Sequence, residues 1–124
     1  MTRRILIVED DPDFAYSLEL ALQISDIQCL LAGSAEEAYQ IFDADGDQVE
    51  LAFFDIKLPG DDGISCFEKI ARTRPDLTGI VMTGFRDEAL QQRARDAGAV
   101  EILLKPFRLK HFITLTKQYI STDG

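Results

Sequence analysis

The sequence predicts an α/β domain built on a doubly wound, five-stranded parallel sheet in the strand order 2-1-3-4-5. Three observations predict it. Short apolar runs recur at a regular interval, Ile5–Val8, Ile27–Leu31, Leu51–Phe54, Leu77–Met82 and Val100–Leu104, and each is followed by a helical pattern. Those runs are continuous rather than alternating, as expected of strands covered on both faces. Strands alternating with helices imply parallel pairing, right-handed crossovers and helices on both sides of the sheet.

The elements follow in order. Ile5–Val8 is the first strand, and Asp11-Pro12 signals the start of the first helix. After the second run, Ser34 with Glu37 three residues on reads as a capping box opening the second helix. Leu51–Phe54 is the third strand, and Pro59, Gly60 and Gly63 mark the segment after it as a loop. The third helix stops at Arg74-Pro75, because a residue before proline is disfavoured in the helical region. Asp87 with Glu88 starts the fourth helix after Leu77–Met82, and Gly98 closes it. Beyond Val100–Leu104, a fifth helix carries Leu109, Phe112, Ile113 and Ile120 at helical spacing.

The 124 residues are expected to form one domain, 1–124, with a core of about 4–120 and no linker or repeat inside it. Four apolar residues behind Arg3 and Arg4 are too short for a signal peptide or a membrane span, so a cytoplasmic protein is expected. Cys29 and Cys66 lie in apolar stretches without CxxC spacing and read as reduced core thiols. Charge is uneven within the net −9: acids outnumber bases 16 to 4 over residues 1–70, while bases outnumber acids 9 to 6 over residues 71–124. An acidic chain repels a phosphate backbone, which argues against direct nucleic-acid binding, whereas an acidic site seeking a hard cation fits.

In the order 2-1-3-4-5 a ligand crevice lies at the carboxyl ends of strands 1 and 3. The residues at the strand ends are Glu9-Asp10-Asp11, then Asp55, Thr83 and Lys105, and all would converge on one edge. Carboxylates about 5 Å apart repel by roughly 3 to 4 kcal/mol per pair at an effective dielectric near 20, so a cluster of them calls for a cation. Oxygen ligands with water in the remaining positions suit Mg²⁺, with Mn²⁺ an acceptable substitute. A carboxylate beside such an ion, faced by an ammonium and a hydroxyl, is arranged to attack phosphorus and form an acyl phosphate. Asp11, immediately before Pro12, reads first as a helix cap.

At these residues the sequence resembles the receiver domain of two-component response regulators, the CheY-like, flavodoxin-like (βα)5 sandwich. The resemblance runs over essentially the whole length. It rests on Ile-Leu-Ile-Val-Glu9-Asp10-Asp11, Asp55-Ile-Lys-Leu-Pro59-Gly-Asp-Asp-Gly63, Val-Met-Thr83-Gly84 and Lys105-Pro106-Phe107. It implies that Asp55 is the phosphoacceptor, that Asp10 binds Mg²⁺ directly, that Glu9 acts through water, and that the Lys57 backbone carbonyl is a further ligand. It also implies that Thr83 and Lys105 grip the phosphoryl oxygens and that the Lys105-Pro106 peptide is cis. The implied partner is a sensor histidine kinase or histidine phosphotransfer domain. The output partner or effector domain is not specified, and a phosphorylation-dependent homodimer is compatible with the resemblance.

Several positions depart from the family's habits. Ile102 stands where Tyr or Phe is frequent, so a ring-flip relay is not expected there. Lys57 and Phe85 flank the path of a hydrolytic water without a carboxamide or acid to orient it, which predicts a long-lived phosphoaspartate. Gly84 leaves phosphoryl entry open. The fourth helix has an apolar stripe of only Leu90, Ala94 and Ala97, so it is expected to be loosely held and to switch. Leu115 and Tyr119 widen the stripe of the fifth helix, and His111 reads as a surface residue. Only Ile120 to Gly124 follow Tyr119, so the expectation is a stand-alone receiver or one cut from a longer regulator.

Two other readings compete. A phosphatase of the haloacid dehalogenase class also uses an aspartate, Mg²⁺ and a lysine, and Asp11-Pro12-Asp13 mimics its Asp-x-Asp. The residues after Lys105, Pro-Phe-Arg-Leu-Lys, lack the further acids that class needs. A receiver-like interaction module that is never phosphorylated is the other. A flavodoxin-type flavin site is disfavoured by the acidic loop after strand 1, and the nucleotide-binding glycine patterns are absent.

Overall fold

A computed structural model describes residues 4–120. The described residues form five parallel strands, β1 (Arg4–Val8), β2 (Gln28–Ala32), β3 (Val49–Asp55), β4 (Thr78–Thr83) and β5 (Glu101–Leu104). They are ordered β2-β1-β3-β4-β5, as predicted. Five helices connect and follow them: α1 (Pro12–Ile24), α2 (Ala35–Asp45), α3 (Gly63–Thr73), α4 (Glu88–Asp96) and α5 (Leu109–Tyr119).

The continuous apolar strands divide their side chains between two faces because successive residues point to opposite sides. Ile5 and Ile7 of β1 pack with Leu18 and Leu22 of α1 and Phe112 and Leu115 of α5. Leu6 and Val8 pack with Ala35 and Ala38 of α2 and with Cys66, Phe67 and Ile70 of α3. Phe53 and Phe54 repeat the division on β3: Phe53 meets Phe112 at a centroid distance of 4.8 Å, and Phe54 meets Phe67 at 5.3 Å. Both are completely buried, each contributing about 2 to 3 kcal/mol through apolar area removed from water. A third, smaller cluster of Ile56, Ile64, Val81 and Ala94 lies under α4, with Leu90 and Ile102 packed against it.

The helix boundaries follow their signals. Asp11 caps α1 by accepting from the backbone N–H groups of Asp13 and Phe14. Ser34 caps α2 through Glu37 N, but Glu37 reaches back to Gly33 N rather than to Ser34, so the capping box is displaced by one residue. Arg74 ends α3 and turns its guanidinium onto the carbonyls of Gly46 and Val49, tying the α3–β4 turn to the start of β3. Gly98, at φ +106°, takes the left-handed turn after α4.

Two further features differ from the sequence reading. Gly63 opens α3 rather than belonging to the loop, because Asp62 caps the helix through Ser65 N. Leu109 is exposed, since it is the first residue of α5 and lies ahead of the stripe that Phe112, Leu115 and Ile120 bury. Leu115 and Tyr119 widen the α5 stripe as read: Leu115 is buried, and Tyr119 is partly buried and donates its hydroxyl to Glu101 at 2.8 Å. Cys29 and Cys66 are free, and burial foremost pushes both thiols up to about 12. No helix of the described residues is long and apolar enough to cross a membrane.

Candidate functional site

The carboxyl ends of β1, β3, β4 and β5 bring the predicted residues to one edge. Beyond β1, the Glu9 N–H still donates to Ala32 O on β2, so the turn into the acidic loop is held at its first residue. Glu9 and Asp55 are buried, and Asp10 is exposed. One carboxylate oxygen from each of the three lies within 4.8 Å of the others. Glu9 Oε2 accepts from Asp11 N at 3.1 Å, which orients the carboxylate.

Lys105 enters from the end of β5. Its backbone N–H donates to Thr83 O at 2.8 Å, and the Lys105-Pro106 peptide is cis, as expected. Its ammonium reaches Glu9 Oε1 at 2.7 Å and Asp55 Oδ2 at 3.3 Å. The face of the Phe14 ring lies 4.7 Å from the same nitrogen. Burial works against the charge on this lysine, but the Glu9 hydrogen bond and the Asp55 and Glu9 charges outweigh it and hold the ammonium above its usual pKa. Burial raises the Glu9 carboxyl above its usual range, and the Lys105 bond opposes that shift.

Three carboxylates facing one ammonium leave the cluster formally two charges negative. A partly buried cluster of that charge is relieved by a cation or by protons. An all-oxygen donor set with one solvent-open side fits a hard divalent ion that keeps some of its waters.

Thr83 is buried at the end of β4, one residue beyond Met82, the Cα partner of Asp55. Its hydroxyl accepts from Phe85 N at 3.0 Å, leaving its own proton to donate elsewhere. Gly84 has open space where a Cβ would be, and Phe85 and the Lys57 side chain are exposed. Gly63 N donates to Ile56 O, and a Cβ on Gly63 would stand 1.9 Å from the Asp55 carbonyl oxygen. Only glycine allows α3 to begin this close to Asp55.

Two groups near the site were not anticipated. Arg93 of α4 binds Asp62 and Ser65 at the head of α3. The Asp62-to-Ser65 cap was the available signal, masked by reading that stretch as loop. Phe14 against Lys105 had none, because the two positions meet only through the fold.

A doubly wound parallel sheet with three carboxylates and an ammonium gathered at its carboxyl edge, and a buried threonine at the end of the strand next to β3, defines the receiver class of α/β domain. The chain belongs to the response regulator receiver domain family, which it matches over residues 5–117, and it is a receiver domain of two-component signalling. It is 32% identical over 123 residues to the transcriptional regulatory protein AruR of Pseudomonas aeruginosa, covering 97% of this chain and 50% of that protein. It is 33% identical over 120 residues to the transcriptional regulatory protein PdtaR of Mycobacterium tuberculosis, covering 96% of this chain and 57% of that protein. The chain thus spans about half the length of the curated relatives it matches. A CheY-like receiver domain protein from Methanospirillum hungatei superposes with a TM-score of 0.89 at 29% identity, covering 95% of this chain and 93% of that one.

Proposed function

We propose that Asp55 accepts a phosphoryl group in a reaction that depends on a divalent cation, and that the modification switches the face formed by α4, β5 and α5. The observation that carries this reading is the Lys105 ammonium poised between Glu9 and Asp55 beside the exposed Asp10 carboxylate. An Asp55 oxygen attacks phosphorus, the new O–P bond forms as the bond to the donor breaks, and the donor leaves as neutral imidazole when it is a phosphohistidine. Asp10, Asp55 and the Lys57 carbonyl would hold Mg²⁺ or Mn²⁺, with Glu9 acting through water. The ion would neutralise charge building up on the transferring oxygens.

Lys105 pairs with one of those oxygens and the Thr83 hydroxyl donates to another. The open space at Gly84 admits the donor. Lys57 and Phe85 offer no group that orients an attacking water, which favours a persistent phosphoaspartate. Ile102 packs beside α4 with Leu90 and carries no ring to flip, so the signal passes through backbone and helix movement. The shift is a change of population, biased by contacts that the phosphoryl group makes in one arrangement only.

A unit of this kind, with a core of about 4–120, works in the cytoplasm with a sensor histidine kinase or histidine phosphotransfer domain upstream. Downstream it acts on a partner, an effector domain or a second copy of itself. The test is incubation with acetyl phosphate and Mg²⁺ followed by intact mass measurement. One added phosphoryl group, absent from Asp55→Asn, supports the switch. Sustained phosphate release from many monoesters would favour a phosphatase, and no uptake at all would favour an unphosphorylated interaction module.

A further inference from the structure

We propose that Phe14 is a positioning residue for Lys105, its ring face holding the ammonium in place to meet the transferring phosphoryl group. This rests on the reading of Asp55 as the phosphoacceptor.

A lysine ammonium sits on a flexible four-carbon stem with three rotatable donors, so its location must be imposed from outside. Two of its neighbours here are the carboxylates of Glu9, at 2.7 Å, and Asp55, at 3.3 Å. Both carboxylates also belong to the acidic cluster and would be drawn to a cation, loosening their hold on the lysine. The third neighbour is the Phe14 ring, 4.7 Å away, which attracts the cation through its quadrupole. A ring carries no net charge. It therefore holds the ammonium without neutralising it, and leaves its charge available to incoming phosphoryl oxygens.

The ring is itself fixed. Phe14 N donates to the Asp11 carboxylate, and Asp11 N donates to Glu9, so the Phe14 backbone is tied to the acidic loop. The ring meets Phe107 edge to face, at 5.6 Å and 69°, and Phe107 stacks on the fully buried Phe112 at 6.1 Å. Phe107 lies two residues beyond Lys105, so the aromatic row fastens both the ring and the segment bearing the ammonium to the α1–α5 side of the core. Catalytic groups tolerate only small displacements, on the order of 0.5 Å, before rate is lost.

The experiment compares the full chain with Phe14→Leu, Phe14→Met and Phe14→Tyr. In the metal-free protein, NMR of the Lys105 ε-methylene protons should show an upfield ring-current shift that disappears in Phe14→Leu and Phe14→Met and persists in Phe14→Tyr. With saturating Mg²⁺ and acetyl phosphate, the rate of phosphoryl transfer should fall about three- to tenfold in the ringless variants and return to within about twofold of wild type in Phe14→Tyr. Unchanged Lys105 shifts in a folded ringless variant would overturn the proposal, and so would failure of tyrosine to restore the rate. Equal transfer rates in wild type and the ringless variants would overturn it while leaving the Asp55 reading intact. No transfer to the wild type would remove that reading and the proposal with it.

Discussion

Arg93 on α4 and Asp62 at the head of α3 are joined by two hydrogen bonds, 3.2 and 3.4 Å long, and the same guanidinium reaches Ser65 Oγ at 2.7 Å. Asp62 ends the loop that leaves Asp55, and it also caps α3. The clasp therefore links the backbone beyond the candidate phosphoacceptor to α4, a helix in which Ala94 alone is buried among the described residues. Apolar packing gives α4 little hold, so this polar contact supplies a large share of it. Arg93→Ala should speed amide hydrogen exchange across α4 while lowering global stability by no more than about 1 kcal/mol, because both partners are partly exposed. Exchange in α4 unchanged from wild type would show that the clasp does not hold the helix.

Gly63→Ala should be far more damaging. The added carbon would meet the Asp55 carbonyl, and backbone at the end of a central strand cannot move aside as a flexible side chain can. A loss of about 2 to 4 kcal/mol in urea unfolding is expected, from overpacking at a buried site. A loss under about 0.5 kcal/mol would mean that α3 can shift freely relative to β3.

Glu9 links pH to cation binding. Burial raises its folded pKa above the ordinary 4.5, with Lys105 opposing. A raised value means that its contribution to stability is fully present below the unfolded pKa and is lost as pH rises through the folded one. In the metal-free protein the ionised carboxylate is therefore a cost at neutral pH, one that a bound divalent cation would remove. The rise in melting temperature on adding Mg²⁺ should increase between pH 4.5 and pH 7, approaching the equivalent of about 3 kcal/mol at a hundredfold excess over Kd. An equal rise at both pH values would separate Glu9 from the cation.

The lifetime of the phosphorylated state should depend on Lys57. Its side chain is exposed two residues beyond Asp55 and carries no carboxamide or acid that would orient a water for attack on an acyl phosphate. Lys57→Asn should hasten loss of the phosphoryl group by about threefold or more, since a placed carboxamide can direct that water. Decay followed by intact mass at equal or slower rates would count against the long-lived phosphoaspartate.

The sheet was legible because each strand is a short apolar run and each helix start carries a local mark, such as Asp11-Pro12 or Asp87 with Glu88. The strand-end residues Glu9, Asp55, Thr83 and Lys105 followed from the topology, since a parallel sheet brings all its carboxyl ends to one edge. What escaped was decided by contacts between distant segments. Gly63 looked like a loop residue until its closeness to Asp55 was visible, and Leu109 fits a helical stripe that starts one turn later. No local pattern indicates that Arg93 turns toward Asp62 or that Phe14 faces Lys105.

The central claim is that Asp55 itself becomes an acyl phosphate. After incubation with acetyl phosphate and Mg²⁺, borohydride reduction cleaves such an anhydride and leaves homoserine in place of the aspartate, which peptide mass spectrometry can assign to a position. Homoserine at position 55, dependent on both reagents, is the predicted result. Homoserine at Asp10 or Asp11 instead, or none in a protein that has gained the mass of a phosphoryl group, would contradict the account.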